Sequence, residues 1–170
     1  MSLAKWSRKA HRVGALVSAL PVLVVIVSGL LLQLKKEWSW VQPPTKRGAE
    51  ARLAASWEDI LTSVRSVAAA EVASYADIAR IDAQPKRGLL KVQCTNGYEV
   101  QLDGVSAEVL AVAYRRSDVI EALHDGSWFH DRAKLWLFLP SALILLGLWV
   151  TGVHLWLVPH LVRRRRRKVV

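Results

Sequence analysis

The sequence predicts an α-helical membrane protein: a hairpin of two transmembrane helices with a small α+β domain inserted between them on the extracytoplasmic side. Three observations carry this. Two long apolar runs, Val13 to Leu34 and Leu135 to Val158, contain neither acid nor base. The net charge is confined to the flanks of those runs. The intervening stretch switches from helical to strand periodicity, the pattern of a small mixed domain.

Each run exceeds the roughly 20 apolar residues a helix needs to cross the hydrocarbon core. Unpaired backbone groups are too costly in lipid for anything but a helix or a closed barrel, and two isolated runs cannot close a barrel. Trp6 and Trp156 stand near one end of the pair, and Trp38, Trp40, Trp128 and Trp136 near the other, as interfacial belts do. The first run is too long for a cleaved signal peptide, and Gln33-Leu34-Lys35-Lys36-Glu37 offers no small-residue cleavage site.

The chain holds 24 Lys and Arg against 14 Asp and Glu, a formal net charge of +10. All of the acids lie between Glu37 and Asp131, and the stretch from Lys35 to Lys134 holds an equal number of bases. The excess sits at Lys5, Arg8, Lys9 and Arg12 and in the run Arg163 to Lys168. Bases that flank apolar runs argue against nucleic acid, which calls for a basic face on a folded domain. Short basic flanks stay in the cytoplasm, and the second run reads as an anchor on anionic lipid. The expected organisation is a cytoplasmic basic tail (residues 1–12), a first span (13–35), a linker (36–52) and an α+β domain (53–116). A short helix and connector (117–133), a second span (134–158) and a cytoplasmic polybasic tail (159–170) follow.

Within the middle, Gln42-Pro43-Pro44-Thr45-Lys46-Arg47-Gly48 marks the linker. Ser56 is placed to cap a helix over about residues 57–70, with Glu58 and Asp59 favouring its dipole. Strands are expected at Ile78 to Ala83, Leu89 to Thr95, Tyr98 to Leu102 and Glu108 to Tyr114. Asn96-Gly97 is a strong hairpin signal between the second and third. A second short helix spans Asp118 to His124. The single cysteine, Cys94, shares a strand face with Leu90 and Val92 and reads as a buried small hydrophobe. The acids of this domain are interleaved with bases, as on a solvated surface. With no histidine before His124 and no Gly-rich phosphate loop, it carries no catalytic constellation. Trp57, Tyr75 and Trp128 read as packing aromatics.

In order along the chain, several short motifs resemble the PepSY family with PepSY-associated transmembrane helices. They are Trp6-Ser7-Arg8-Lys9-Ala10-His11-Arg12-Val13-Gly14, Ser28-Gly29-Leu30-Leu31-Leu32 and the hairpin Asn96-Gly97-Tyr98-Glu99-Val100. Leu123-His124-Asp125-Gly126 and Val150-Thr151-Gly152-Val153-His154-Leu155-Trp156 complete the set. The resemblance implies a bacterial cytoplasmic membrane protein with a PepSY-like extracytoplasmic domain. Larger members have additional membrane helices, and some are associated with iron uptake, ferric reduction or haem ligation by membrane histidines. This chain has only the minimal pair.

In this topology His11 and His154 lie toward the same leaflet. His11 shares a helical face with Gly14, Ser18 and Pro21, and His154 with Thr151, Gly147 and Pro140. Two facing imidazoles are candidate axial ligands of a b-type haem; the alternative is an interfacial His11, a carbonyl-bonded His154 and plain helix packing. His124 is a weaker candidate ligand. His130, six residues on, lies on a different face, and His160 reads as solvated. Two readings stay open: an accessory subunit of a membrane electron-transfer complex carrying haem b and meeting a periplasmic electron carrier, or a cofactor-free PepSY module that assembles or restrains a membrane partner. Both favour a larger complex or a homodimer over a lone monomer.

Overall fold

The computed structural model describes residues 3–167, with side chains described for Trp6 and from Arg8 to Val158. The anchor expected at Arg163 to Lys168 and the solvated His160 lie outside the described side chains. The chain forms two compact units: the residues up to Leu30 together with those from Glu121 onward, and the segment Leu31–Ile120.

The first unit is helical. Helix α1 covers Leu3–Gln33 and helix α4 covers Leu139–Arg167, the latter preceded by a π-helical turn at Lys134–Phe138. Their apolar stretches, Arg8–Gln33 and Lys134–Val158, are 26 and 25 residues long. At 1.5 Å per residue the shorter reaches about 37 Å, more than the roughly 30 Å of hydrocarbon in a bilayer. The π-helical turn precedes Pro140, whose missing N–H relaxes the ordinary ladder there. Phe138 is buried, and its ring packs against Gly126 in a left-handed turn with φ of 85°. Phe129 lies 5.9 Å from that ring and Trp128 stands edge-on to Phe129, itself exposed rather than packed in a core.

The second unit is an antiparallel sheet with one helix. Strands β1 (Ile78–Gln84), β2 (Leu89–Cys94), β3 (Tyr98–Asp103) and β4 (Val109–Tyr114) pair in sequence order. Helix α2, Trp57–Arg65, starts at the expected Ser56, which accepts from Asp59 N while Asp59 accepts from Ser56 N, a reciprocal capping box. Ile60, Leu61 and Val64 of α2 cover Leu90, Val92, Cys94, Val100 and Leu102, so one sheet face is apolar core. Cys94 is buried there as expected, and burial pushes its thiol pKa up.

The helix expected to reach residue 70 stops at Arg65. Val67 is extended, Ala68–Ala70 make a single 3-10 turn and Glu71 adopts φ of 52°. Ala70 and Val72 thereby join the core, and this packing overrides the helical preference of the alanine run. Trp57 and Tyr75, expected as packing residues, are exposed; the Tyr75 hydroxyl donates to Trp57 O at 2.7 Å. Helix α3 covers Arg116–Asp125.

Candidate functional site

The sequence-predicted histidines fall in the helical unit. His11 Nδ1 lies 3.0 Å from Thr151 Oγ1. That hydroxyl sits 2.9 Å from Gly147 O and 3.0 Å from Leu148 O, carbonyls that only accept. With its hydrogen directed to one of them, Thr151 accepts from His11, which assigns the imidazole proton to Nδ1 and the lone pair to Nε2. One turn along α1, a Cβ on Gly14 would stand 3.3 Å from Ile144 and 3.4 Å from Leu148. Ser18, another turn on, is buried and donates back to Gly14 O at 2.8 Å. The face of α1 formed by His11, Gly14 and Ser18 is therefore a contact face, as its small residues indicate. On α4 the contact runs through Ile144, Leu148 and Thr151. Gly147, expected on that face, has open space beside it.

His154 is exposed, and among the described side chains no hydrogen bond joins it to His11. The pairing is His11 with Thr151.

His124, at the end of α3, makes the second anchor. Its Nδ1 is 3.1 Å from Val25 O and 3.0 Å from Ser28 Oγ, whose own hydroxyl donates to Val24 O at 2.6 Å. Val25 O can only accept, so Nδ1 carries the proton here too. Gly29 makes room for the ring: a Cβ there would stand 3.2 Å from His124 Cε1. His130 is engaged differently, its Nδ1 accepting from Arg132 N at 3.0 Å. Nearby, Lys134 Nζ donates to Asp125 at 2.8 Å and, with Ser127, holds that carboxyl well below the usual range.

A metal-ligating histidine commonly donates one ring N–H to a fixed acceptor and offers the other nitrogen to the metal. The nitrogens of His11 and His124 meet that condition. One turn from His11, Gly14 packs close to Ile144 and Leu148 of α4, while His154 is exposed.

The domain holds a polar constellation that sequence reasoning missed. The acids and bases read as a solvated surface are in part buried. Glu99 is 1% exposed and Lys91 3%. Glu99 lies 3.3 Å from Lys91 Nζ and 2.6 Å from Arg115 Nη1, and Arg115 continues to Asp118 at 2.9 Å. Gln101 Nε2 donates to Glu99 at 2.8 Å. Burial works against the Arg115 cation, but Asp118 and Glu99 outweigh it and raise its pKa.

The segment expected as a linker seals this face. Val41 is fully buried, and its carbonyl accepts from Ser117 N at 2.8 Å. Gln101 accepts from Lys46 N at 2.8 Å and donates to Pro44 O at 3.1 Å, the Thr45 hydroxyl accepts from Lys91 at 2.8 Å, and Ala49 N donates to Asp103 at 2.7 Å. With Val105 and Ser106 also donating to Asp103, the backbone hydrogen bonds from Ser106, Ala49 and Val105 lower its pKa to about 2. The strap then crosses the sheet end, where Gly48 N bonds Arg87 O and Gly104 N bonds Gly88 O. Gly88 has φ of 57° and lies against the Glu50 carbonyl, so a side chain there is excluded by both strain and space. The signal was present in the alternation of β2 and β3, where Lys91 stands opposite Gln101 and Gln93 opposite Glu99.

These features define a class: a membrane protein with two apolar helices flanking an inserted helix-and-sheet domain. The chain belongs to the PepSY-associated TM region family, whose model matches residues 6–169. No curated protein and no solved structure matches it.

Proposed function

We propose that this protein is a PepSY-type accessory subunit of the bacterial cytoplasmic membrane, which assembles with and restrains a larger membrane protein. In this reading both termini are cytoplasmic and the sheet domain is periplasmic, as the short basic flanks favour. The observation that carries the proposal is the division of labour in the helix pair. His11 with Thr151 and His124 with Val25 and Ser28 tie the unit together, while only 11% of the most apolar stretch of each span is buried within the chain. The uncovered flanks, with Leu16, Leu20, Leu143 and Leu146 exposed, are where a partner's helices would lie.

A photo-activated cross-linking residue at Leu16, Leu20, Leu143 or Leu146, in native membranes, tests this. The proposal expects discrete protein adducts of constant mass. Adducts to lipid alone at all of these positions would overturn it.

A second reading is favoured by one observation: the fixed Nδ1–H groups of His11 and His124 leave Nε2 as the basic nitrogen, the arrangement of a ligating histidine. Here the subunit belongs to an electron-transfer complex. His11 and His154, and more weakly His124, hold haem b between the two helices, and a periplasmic carrier meets the outer domain. Bound haem would supply one-electron chemistry. In the first reading, alanine at both His11 and His154 leaves function intact.

A further inference from the structure

The two edges of the sheet differ in character. Strand β1 carries Arg80 and Asp82, and its pairing with β2 is interrupted between Ile78 and Arg80. The charges discourage the addition of another strand; a register shift also interrupts the pairing of β4 with β3, between Gln101 and Leu102, so charge is what separates the two edges. Strand β4, at the other edge, reads Val-Leu-Ala-Val-Ala-Tyr, without charge or proline, and Val112 and Tyr114 are exposed. An uncharged edge of β-branched and aromatic residues is a template for pairing.

Backbone geometry shows which groups face outward. Arg115 N donates to Gly97 O at 2.9 Å, so those two residues form a hydrogen-bonded pair. Antiparallel ladders alternate, which makes Ala113 with Glu99 and Ala111 with Gln101 the next such pairs. Val112 and Tyr114 therefore turn their N–H and C=O groups away from β3, toward the open edge.

We propose that β4 pairs antiparallel with β4 of a second copy of this chain, joining two sheets into one. The register follows from the backbone. Hydrogen-bonded pairs across the junction must form between outward-facing residues. Centring the two-fold axis on Val112 sets Val112 opposite Val112 of the second copy and brings Tyr114 to the start of its β4, where Leu110 is the extra residue of the β3–β4 register shift. This register also brings Glu108, exposed just before β4, to the end where the second copy presents Arg116, just after its own β4. Both ends of the junction thus join an acid to a base, and no like charges meet along it. One strand pair buries less than the roughly 1,000 Å² expected of a stable interface. Confinement of both chains to one membrane raises their effective concentration and compensates.

The test places single cysteines at Leu110, Ala111, Val112, Ala113 and Tyr114 in turn, in the full-length chain in native membranes, under mild oxidation. Native Cys94 is buried, and its protection from a maleimide reports that each variant is folded. A hydrogen-bonded pair holds its Cα atoms about 5.5 Å apart, within the roughly 4.4–6.8 Å of a disulfide. At Leu110 the two copies are displaced by about 13 Å along the strands. The proposal expects Val112→Cys to give several-fold more disulfide dimer than any neighbour, and Asp82→Cys on β1 to give none. Glu108→Arg should lower the Val112→Cys yield several-fold, and adding Arg116→Glu should restore it. Equal yields along β4, a maximum at another position, or no dimer with Cys94 protected would overturn the proposal. This outcome is read separately from the cross-links at the helix flanks, so either result can fail alone.

Discussion

Replacing Glu99 by Gln preserves the shape of the side chain and deletes the charge at the centre of the buried network. The carboxylate is sealed from solvent, with Lys91 at 3.3 Å and Arg115 at 2.6 Å. Arg115 keeps Asp118, but the Lys91 ammonium loses its described counter-ion and keeps only neutral acceptors, the Thr45 hydroxyl among them. Removing one member of a buried pair leaves an uncompensated charge and costs about 3–5 kcal/mol. At roughly 4–8 °C per kcal/mol for a domain of this size, the midpoint of unfolding falls by about 12–40 °C. The assay is the maleimide reactivity of Cys94 along a temperature ramp, with the full-length protein in mild detergent. Adding Lys91→Met to Glu99→Gln removes the orphaned charge and should recover most of the loss. A loss below about 1 kcal/mol, the range of an exposed ion pair, or a double variant no better than the single one, would refute the reasoning.

Thr151→Val removes the acceptor for His11 at nearly constant volume and should weaken the helix pair by about 0.6–1.7 kcal/mol, measured by denaturation in mixed micelles. Gly29→Val drives a side chain into the His124 imidazole and should expose the end of α3 to proteolysis. Because the Asp103 pKa is lowered to about 2 from 3.8, its stabilising contribution is complete above pH 3.8 and is lost as pH falls towards 2. Asp103→Asn should flatten that part of the acid unfolding curve. Ser56→Ala removes the capping box of α2 and should cost about 0.5–2 kcal/mol in urea unfolding.

The spans were legible because lipid imposes length and apolarity on a continuous stretch, and the hairpin because Asn96-Gly97 suits only a tight turn. The four strands followed from period-two alternation. The end of α2 was not legible: residues 66–70 have no breaker, and the turn there is set by burial of Ala70 and Val72. The strap was hidden for a related reason. Gln42 to Gly48 is polar and proline-rich, and only its pairing with Gln101, Lys91 and Asp103 distinguishes it from a solvated linker. Without that cover, Glu99 and Lys91 read as surface. At the candidate site, His11 and His124 were visible as histidines in or beside the spans. Their partners, Thr151, Ser28 and Val25 O, are set by how the helices meet, which spacing on one helix does not encode.

The most direct test of the account is a reduced-minus-oxidised absorption spectrum of the gently purified protein with its partners attached, with a pyridine haemochrome assay for stoichiometry. The account predicts no b-type signal, and the same partners retained when His11 and His154 are both alanine. A stoichiometric b-type signal lost on replacing His11 or His154 would contradict it and make the electron-transfer reading the better one.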